Sequence, residues 1–467
     1  MSRFISVDRS TEYLLPPSVQ DWLPENHLAR FVVDVVERLD LSALIKAYAG
    51  RGKDAHHPAA LLGLLIYGYA TGVYHSRKIE RASYENLAFR YIAANTHPDH
   101  DTIAYFRARF SAEISELFVQ VLLVAREMKL TKLGAITVAV DGSKLKANAS
   151  RHKALSWAHL HMIETQLKAE VAALMAKADN AEANDLPDGM DIPAELVRRQ
   201  ERLAALDAAR TEIKRRADER DVGLLSEYEQ MQQTRQNKRD SGGRPGGREP
   251  KPPVLGPRAT DQVSLTDADS RIMLAASGGF EQAYNGQLAV DCESRLIAAA
   301  YVTQAGNDKQ QIEPMLAKFG ALPRALVQCD ALLADTGYYS AGNVVACAEA
   351  CVTPLIAVKR EHHHVSLNER FAADPPALEA ALEPDESGSE QSAAETAVAQ
   401  MQHALKTTAG RALYALRKST VEPVIGVIKH VMGFRQFSVR GLDQVDAQWS
   451  LVALAYNVKR MNVLRMG

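Results

Sequence analysis

The 467-residue chain has little cysteine, no long apolar run and almost no net charge, and each absence excludes something. Its most apolar stretch, PAALLGLLIYGYATGVY, is broken by glycines and tyrosines and falls short of the ~18 apolar residues that a membrane span requires. The opening MSRFISVDRSTEYLLPPS lacks the apolar core of a signal peptide, so no membrane role and a cytoplasmic location are expected. The four cysteines, Cys292, Cys329, Cys347 and Cys351, form no CxxC pair and have no histidine at a zinc-finger spacing. They are expected to be reduced and packed. Cys347 and Cys351, at i,i+4, would share one face of a helix.

A net charge of −2 gives no nucleic-acid signal by itself, so basic patches must be sought locally. They are present. Residues 401–467 hold ten Lys/Arg against Glu422, Asp443 and Asp446, whereas residues 361–400 hold nine acids against Arg370 alone. Hydrophobic residues at 46% and charged residues at 24% are ordinary for a protein with buried cores, and the length suggests two to four structural units, by the usual scaling of about 100–200 residues per domain.

Residues 20–128 carry apolar positions at a helical period, with Asp101 or Thr102 as cap of the segment DTIAYFRARFSAEISELFVQVLLVAREM. Arg77, Lys78, Arg81, Arg107 and Arg109 make this module basic, which suits either DNA binding or solvated helix faces. AITVAVD then reads as a strand ending on Asp141 and turning through Gly142. Residues 155–235 return to a helical pattern, with Leu196, Leu203, Leu206 and Ile213 near heptad spacing and a break at DNAEANDLPDGMDIP, as in a helical hairpin. The stretch 237–258, with six basic residues against two acids and many Gly and Pro, reads as a flexible linker.

RIMLAASGG, YNGQLAVDCES and LIAAAYVTQ fit a three-strand meander. A helix starting at Asn307 or Asp308 follows, then a buried strand, ALVQCDALLADTG, ending on Asp335. SAGNVVACAEAC is a helix and TPLIAVK a strand; residues 361–410 read as a weakly ordered acidic insertion that contains His362, His363 and His364. YALRKSTVEPVIGVIKHVM is a helix carrying Glu422, and AQWSLVALAYNVKRMNVL closes the chain as an amphipathic helix whose Trp449 and Tyr456 pack inward.

Asp141 and Asp335 at strand ends and Glu422 on a helix are the residue types that hold hard divalent cations. Two Mg²⁺ ions about 4 Å apart neutralise the charge developed in phosphodiester cleavage. Glu422 and Lys429 lie two helical turns apart on one face, about 10 Å along the axis; taken alone that is a solvated face, and beside a metal site Lys429 could hold a phosphate, as could Arg417 and Lys418.

The stretch YALRKSTVEPVIGVIKHVMGFRQFSVRG resembles the Tyr-Arg-Glu-Lys signature of insertion-sequence DDE transposases, through Tyr414, Arg417, Glu422 and Lys429. Arg417 or Lys418 fills its basic position, Arg417 being one residue farther from Glu422 than the pattern has it. VAVDGSKLKANAS and ALLADTGYYS are similar to the family's two aspartate strands, with Lys144 just beyond the first, and PDHDTIAYFRARF, containing Arg107, to its N-terminal domain. The resemblance implies an α/β catalytic core, an RNase H-like mixed sheet flanked by helices, with an all-helical N-terminal domain and a helical insertion. It assigns catalysis and metal binding to Asp141, Asp335 and Glu422, and DNA contacts to Lys429, Arg417, Lys418, Tyr414, Lys144 and Arg107. It also implies two Mg²⁺ ions, replaceable by Mn²⁺, and double-stranded DNA partners, namely terminal inverted repeats and target DNA. A dimer on DNA and a bacterial, nucleoid-associated location follow. The expected layout is a DNA-binding domain at 1–130, the core at 131–154, the hairpin and basic linker at 155–258, the core again at 259–360, the acidic insertion at 361–410 and closing helices at 411–467. An RNase H-fold nuclease without strand transfer, or a DNA-binding protein that no longer cuts, would share parts of this pattern.

Overall fold

The computed structural model describes residues 18–48, 55–131, 135–150, 153–180, 191–275, 278–323, 326, 328–359, 374–376 and 390–467. They divide into two units: Met1–Leu145, Asn285–Val439 and Asp443–Gly467 form the first, and Lys146–Tyr284 with Arg440–Leu442 the second.

The first unit begins with helices α1 (Leu28–Glu37), α2 (Ser42–Lys46), α3 (Pro58–Thr71), α4 (Ser76–Glu85), α5 (Leu87–Ile92), α6 (His100–Arg109) and α7 (Ser111–Glu127). Helix α3 is buried from Leu61 to Ala70 on every face, which is why its apolar residues run continuously instead of forming a stripe. Asp99, not Asp101 or Thr102, caps α6 by accepting from the Thr102 amide at 2.7 Å. The expected single helix from there onward is two: it breaks at Phe110, whose ring is buried beside Phe106.

Chain order then gives strand β1 (Ala135–Lys146), strand β2 (Ala154–Ser156), helices α8 (Trp157–Asn180) and α9 (Ile192–Asp240), and strands β3 (Gln262–Ser264), β4 (Arg271–Leu274), β5 (Phe280–Asp291) and β6 (Ile297–Thr303). Next come helix α10 (Ile312–Gly320), strand β7 (Gln328–Ala334), helix α11 (Ala341–Glu349) and strand β8 (Thr353–Ile356). Helices α12 (Glu390–Ala404), α13 (Thr408–Gly426) and α14 (Leu442–Arg465) close the chain.

In the first unit the strands lie in the order β6, β5, β1, β7, β8. β5 and β6 are antiparallel, whereas β1, β7 and β8 run parallel. It is a mixed sheet, and crossover segments containing α10 and α11 join its parallel strands as that geometry requires. Helix α14 is fastened to the β5–β6 edge. Asn457, fully buried, accepts from the Ile297 amide at 2.8 Å and donates to the Ile297 carbonyl at 2.9 Å, and Asp446 accepts from the Val302 amide. The buried Trp449 donates to the Gln287 carbonyl, and its ring lies so close to Gly286 that a Cβ there would stand 2.9 Å from it. Trp449 and Tyr456 therefore pack inward, as their spacing suggests. On α14's other side Gln448 donates to Tyr69 Oη and Lys459 to the Ala70 carbonyl, tying the last helix to α3.

The second unit holds the hairpin of α8 and α9, with Leu160, Leu167, Leu206, Ala209 and Ile213 packed with Leu155 and Val263 of the β2–β3 pair. The turn expected at DNAEANDLPDGMDIP lies almost wholly outside the described residues. The Gly/Pro-rich stretch after α9 folds back along it: Arg235 donates to the carbonyls of Gly246 and Gly247, and Arg220 to Asp261 and the Gly256 carbonyl. Those carbonyls need donors, and the arginines of α9 supply them.

Three other expectations change. Residues 390–404 are helical within the stretch expected to be weakly ordered, whereas His362, His363 and His364 lie outside the described residues. The helix at 312 starts after Gln311, not at Asn307 or Asp308. Cys351 lies beyond α11 in a left-handed conformation (φ 57°), so it does not continue the helical face of the buried Cys347. Among the described residues no helix is long and apolar enough to cross a membrane.

Replacing Asn457 with leucine leaves a buried amide and carbonyl of β6 without partners, at roughly 1–3 kcal/mol each. Chemical denaturation of Asn457→Leu is expected to show a loss of about 2–4 kcal/mol; wild-type stability would contradict the strand-capping role.

Candidate active site

Two parallel strands bring the first carboxylates together. Pairing of β1 with β7 runs to Ala139 opposite Leu333. Asp141 follows two residues later on β1, and Asp335 stands just past the end of β7. Asp335 caps the short turn Thr336–Tyr338, its Oδ1 accepting from the Gly337 amide at 2.8 Å. Asp141 is not at a strand tip as expected, because β1 continues through Gly142 to Lys146. Gly142 serves close approach, not a turn. A side chain there would collide with Gln287 Nε2 and stand 2.6 Å from Asp308 Oδ1.

This placement disfavours charge on Asp141. Burial, then the neighbouring Asp335, raises its pKa to about 7; Arg417 and the Gly142 amide act in the opposite direction, and Asp308 adds a further upward push.

The third carboxylate comes from α13. Arg417, with 8% of its surface exposed, points its guanidinium between two acids: Nη2 lies 3.4 Å from Glu422 Oε1 and Nη1 4.0 Å from Asp141 Oδ2. Burial opposes its charge, yet Tyr414, Asp141, Asp335 and Glu422 together raise its pKa. Lys418, the other candidate for the basic position, is on the exposed side of the helix. Glu422 is half-exposed and faces Arg417.

Beyond Gly426 the helix widens into a π turn, Val427–Val431, which carries Lys429. Such wide turns are rare and concentrate at functional sites. Lys429 Nζ reaches the Lys144 carbonyl at 3.5 Å, and burial lowers its pKa while Asp141 opposes that shift. Arg417 and Lys429 thus converge on Asp141 from one helical segment. Tyr414 lies one turn before Arg417, near enough to act on its charge. Arg107 is engaged elsewhere, donating to Tyr69 Oη and the Tyr74 carbonyl, and contacts none of the three carboxylates.

A polar group that sequence reasoning missed lines the other side of Asp141. Asp308 Oδ1 accepts from Asn285 Nδ2 at 2.8 Å and Gln287 Nε2 at 2.7 Å, while Tyr338 Oη donates to Gln287 Oε1 at 2.5 Å. The available signal was the pair Asn285 and Gln287 at alternate positions of a largely buried strand, a polar face where a core face belongs. Among the described residues no three carboxylate, histidine or cysteine side chains stand together closely enough to hold a metal ion as they are now turned.

The site gathers acids from β1, the end of β7 and α13 around an arginine, with a lysine beside them. That combination can carry concentrated positive charge between carboxylates and bind an anion at its rim. Residues 17–109 match a transposase domain (DUF772), and residues 386–462 match a transposase DDE domain, the stretch holding Tyr414, Arg417, Glu422 and Lys429. No curated protein and no solved structure matches the chain. The two family matches, one at each end of a chain whose helical N-terminal region leads into a mixed sheet flanked by helices, support an insertion-sequence DDE transposase, an enzyme of the DNA-cleaving and strand-transferring class.

Proposed function

We propose that the protein binds the terminal inverted repeats of its element and catalyses Mg²⁺-dependent cleavage at their ends, followed by transfer of the freed strand into target DNA. The observation that carries this reading is the convergence of Asp141, Asp335 and Glu422 around Arg417. An RNase H-like core agrees with the sheet, in which an antiparallel meander leads into two parallel strands and the aspartates sit on adjacent parallel strands.

The residues suit a hard divalent cation. Their donors are all carboxylate oxygens, and the repulsion that Asp335 exerts on buried Asp141 marks a place short of positive charge. Asp141 and Asp335 would hold the ions, with Glu422, now paired to Arg417, completing the set. When bound, two Mg²⁺ ions, or Mn²⁺ in their place, supply the charge neutralisation that in-line attack at phosphorus demands. Arg417, released from Glu422, is free to neutralise a phosphate oxygen. Lys429 and Lys144 hold the phosphate next to the one being cut, and Tyr414 and Lys418 extend that contact along the strand. Arg107, with the basic helices up to residue 130, belongs to a DNA-binding domain; residues 155–258 are a separate helical hairpin insertion and basic linker, residues 361–410 an acidic insertion, and the stretches 131–154, 259–360 and 411–467 the catalytic core. Two element ends must be joined, so the working form is a dimer on DNA, in the bacterial cytoplasm at the nucleoid.

Asp141→Asn and Glu422→Gln should each lower cleavage of DNA carrying the element's ends at least about 10²-fold, the cost of losing one preorganised charge-stabilising group. Chelation should abolish cleavage and Mn²⁺ restore it. Unchanged cutting in either variant would sink the assignment, and cut products without joined ones would point to a nuclease lacking strand transfer.

The pH dependence has a definite sign. The pKa of Asp141 rises from 3.8 to about 7 on folding without metal, so its charged form is disfavoured and metal-free stability falls as pH climbs through that window. Asp141→Asn should therefore melt several degrees above wild type at pH 8 in chelator, with the difference vanishing near pH 3; a variant no more stable at pH 8 would contradict the burial of this charge. Because a ligand carboxylate must first lose its proton, cleavage should also decline as pH falls below ~7.

A further inference from the structure

Asp308 precedes α10 in a loop and belongs to none of the elements that carry the three carboxylates, yet it fits against two of them. A Cβ at Gly142, the residue after Asp141, would lie 2.6 Å from Asp308 Oδ1; one at Gly337, two residues after Asp335, would lie 3.0 Å from Asp335 Oδ1 and 3.8 Å from Asp308 Oδ2. The space left open by Gly142 is taken by the Asp308 carboxylate, which also comes within ordinary contact of Gly337. Its position is built, since Asn285 and Gln287 donate to Oδ1 and Tyr338 locks Gln287.

A second, independent observation concerns Asn285. This side chain is 1% exposed, and its Nδ2 donates to the Ala305 carbonyl and Asp308, which fixes the amide so that Oδ1 faces Gly142. That oxygen has no hydrogen-bond partner among the described residues. A buried carbonyl oxygen without a donor is destabilising, so such an atom calls for a ligand. Amide carbonyl and carboxylate oxygens are the donors that Mg²⁺ and Mn²⁺ accept.

We propose that Asp308 is a fourth acidic residue of the metal site, and that its carboxylate and the Asn285 carbonyl oxygen help to hold a divalent cation beside Asp141 and Asp335. The inference rests on the metal-dependent reading given above. It assigns Gln287 and Tyr338 a positioning role, keeping Asp308 turned toward the site.

The test is Mn²⁺ binding to the full-length protein, followed by the loss of the free-ion electron paramagnetic resonance signal, for wild type, Asp308→Asn and Asp141→Asn. Asparagine at 308 keeps an oxygen for Asn285 and Gln287 and removes only the charge, so the metal-free melting midpoint should stay near wild type while Mn²⁺ affinity falls about 10-fold or more. Asp308→Ser, smaller and uncharged, should weaken binding to the same degree. If Asp141→Asn loses Mn²⁺ binding while both 308 variants retain wild-type affinity, the inference is overturned and the proposed function stands. If wild type binds no Mn²⁺, both are overturned.

Discussion

The disfavoured charge of Asp141, with Asp335 as its neighbour, sets the conditions for the rest of the site. Raising Asp141 from 3.8 to about 7 corresponds to roughly 4 kcal/mol of disfavoured charge at neutral pH without metal, at ~1.36 kcal/mol per unit. Against a total folding stability of about 5–15 kcal/mol, a cost of that size must be offset by surrounding structure. The parallel pairing of β1 with β7, which runs to Ala139 and Leu333, sets the spacing of the two segments that carry the aspartates. Arg417 is drawn in as counter-charge despite its own burial, and Glu422 follows it. The acids, the arginine and the lysine are arranged around a repulsion that the fold does not relax.

The rigidity this needs comes from the last helix. Trp449 lies flat against Gly286, and the rings of Tyr69, Tyr74, Phe434, Phe437 and Trp449 touch in sequence, several of them edge to face. One aromatic cluster therefore joins the N-terminal helices, the segment that follows Lys429 and the strand bearing Asn285 and Gln287. Edge-to-face contacts add about 0.5–1.5 kcal/mol each beyond area burial and fix ring orientation. The π turn at Val427–Val431 leads directly into this cluster through Phe434, whose amide donates to the Ile428 carbonyl. Lys429 is thus held from both sides of its turn.

Much of this was legible in the residues. Apolar runs bounded by turn residues located β5, β6 and β7, and apolar positions near a helical period located α3, α9, α13 and α14, because buried surfaces demand apolar residues. Strand-end carboxylates and the Glu422–Lys429 spacing pointed to one place from three separate segments. What stayed hidden depends on distance along the chain. Asp308 looked like a helix start because its partners are two side chains on β5, and nothing local distinguishes a capping aspartate from one turned inward. The extension of β1 past Gly142 was hidden for the same reason: glycine ordinarily signals a turn, and here it clears room for side chains from β5 and the loop before α10. The break at Phe110 and the π turn arise from packing, which a one-dimensional period does not record.

The way α14 covers β6 also bears on assembly. An open strand edge offers unpaired amides and carbonyls to any passing strand, and many proteins associate by that route. Here the amide and carbonyl of Ile297 and the amide of Val302 are already taken by Asn457 and Asp446. Two side chains of a helix thus occupy backbone groups near both ends of that strand. A strand from another molecule approaching there would have to displace those side chains before it could pair.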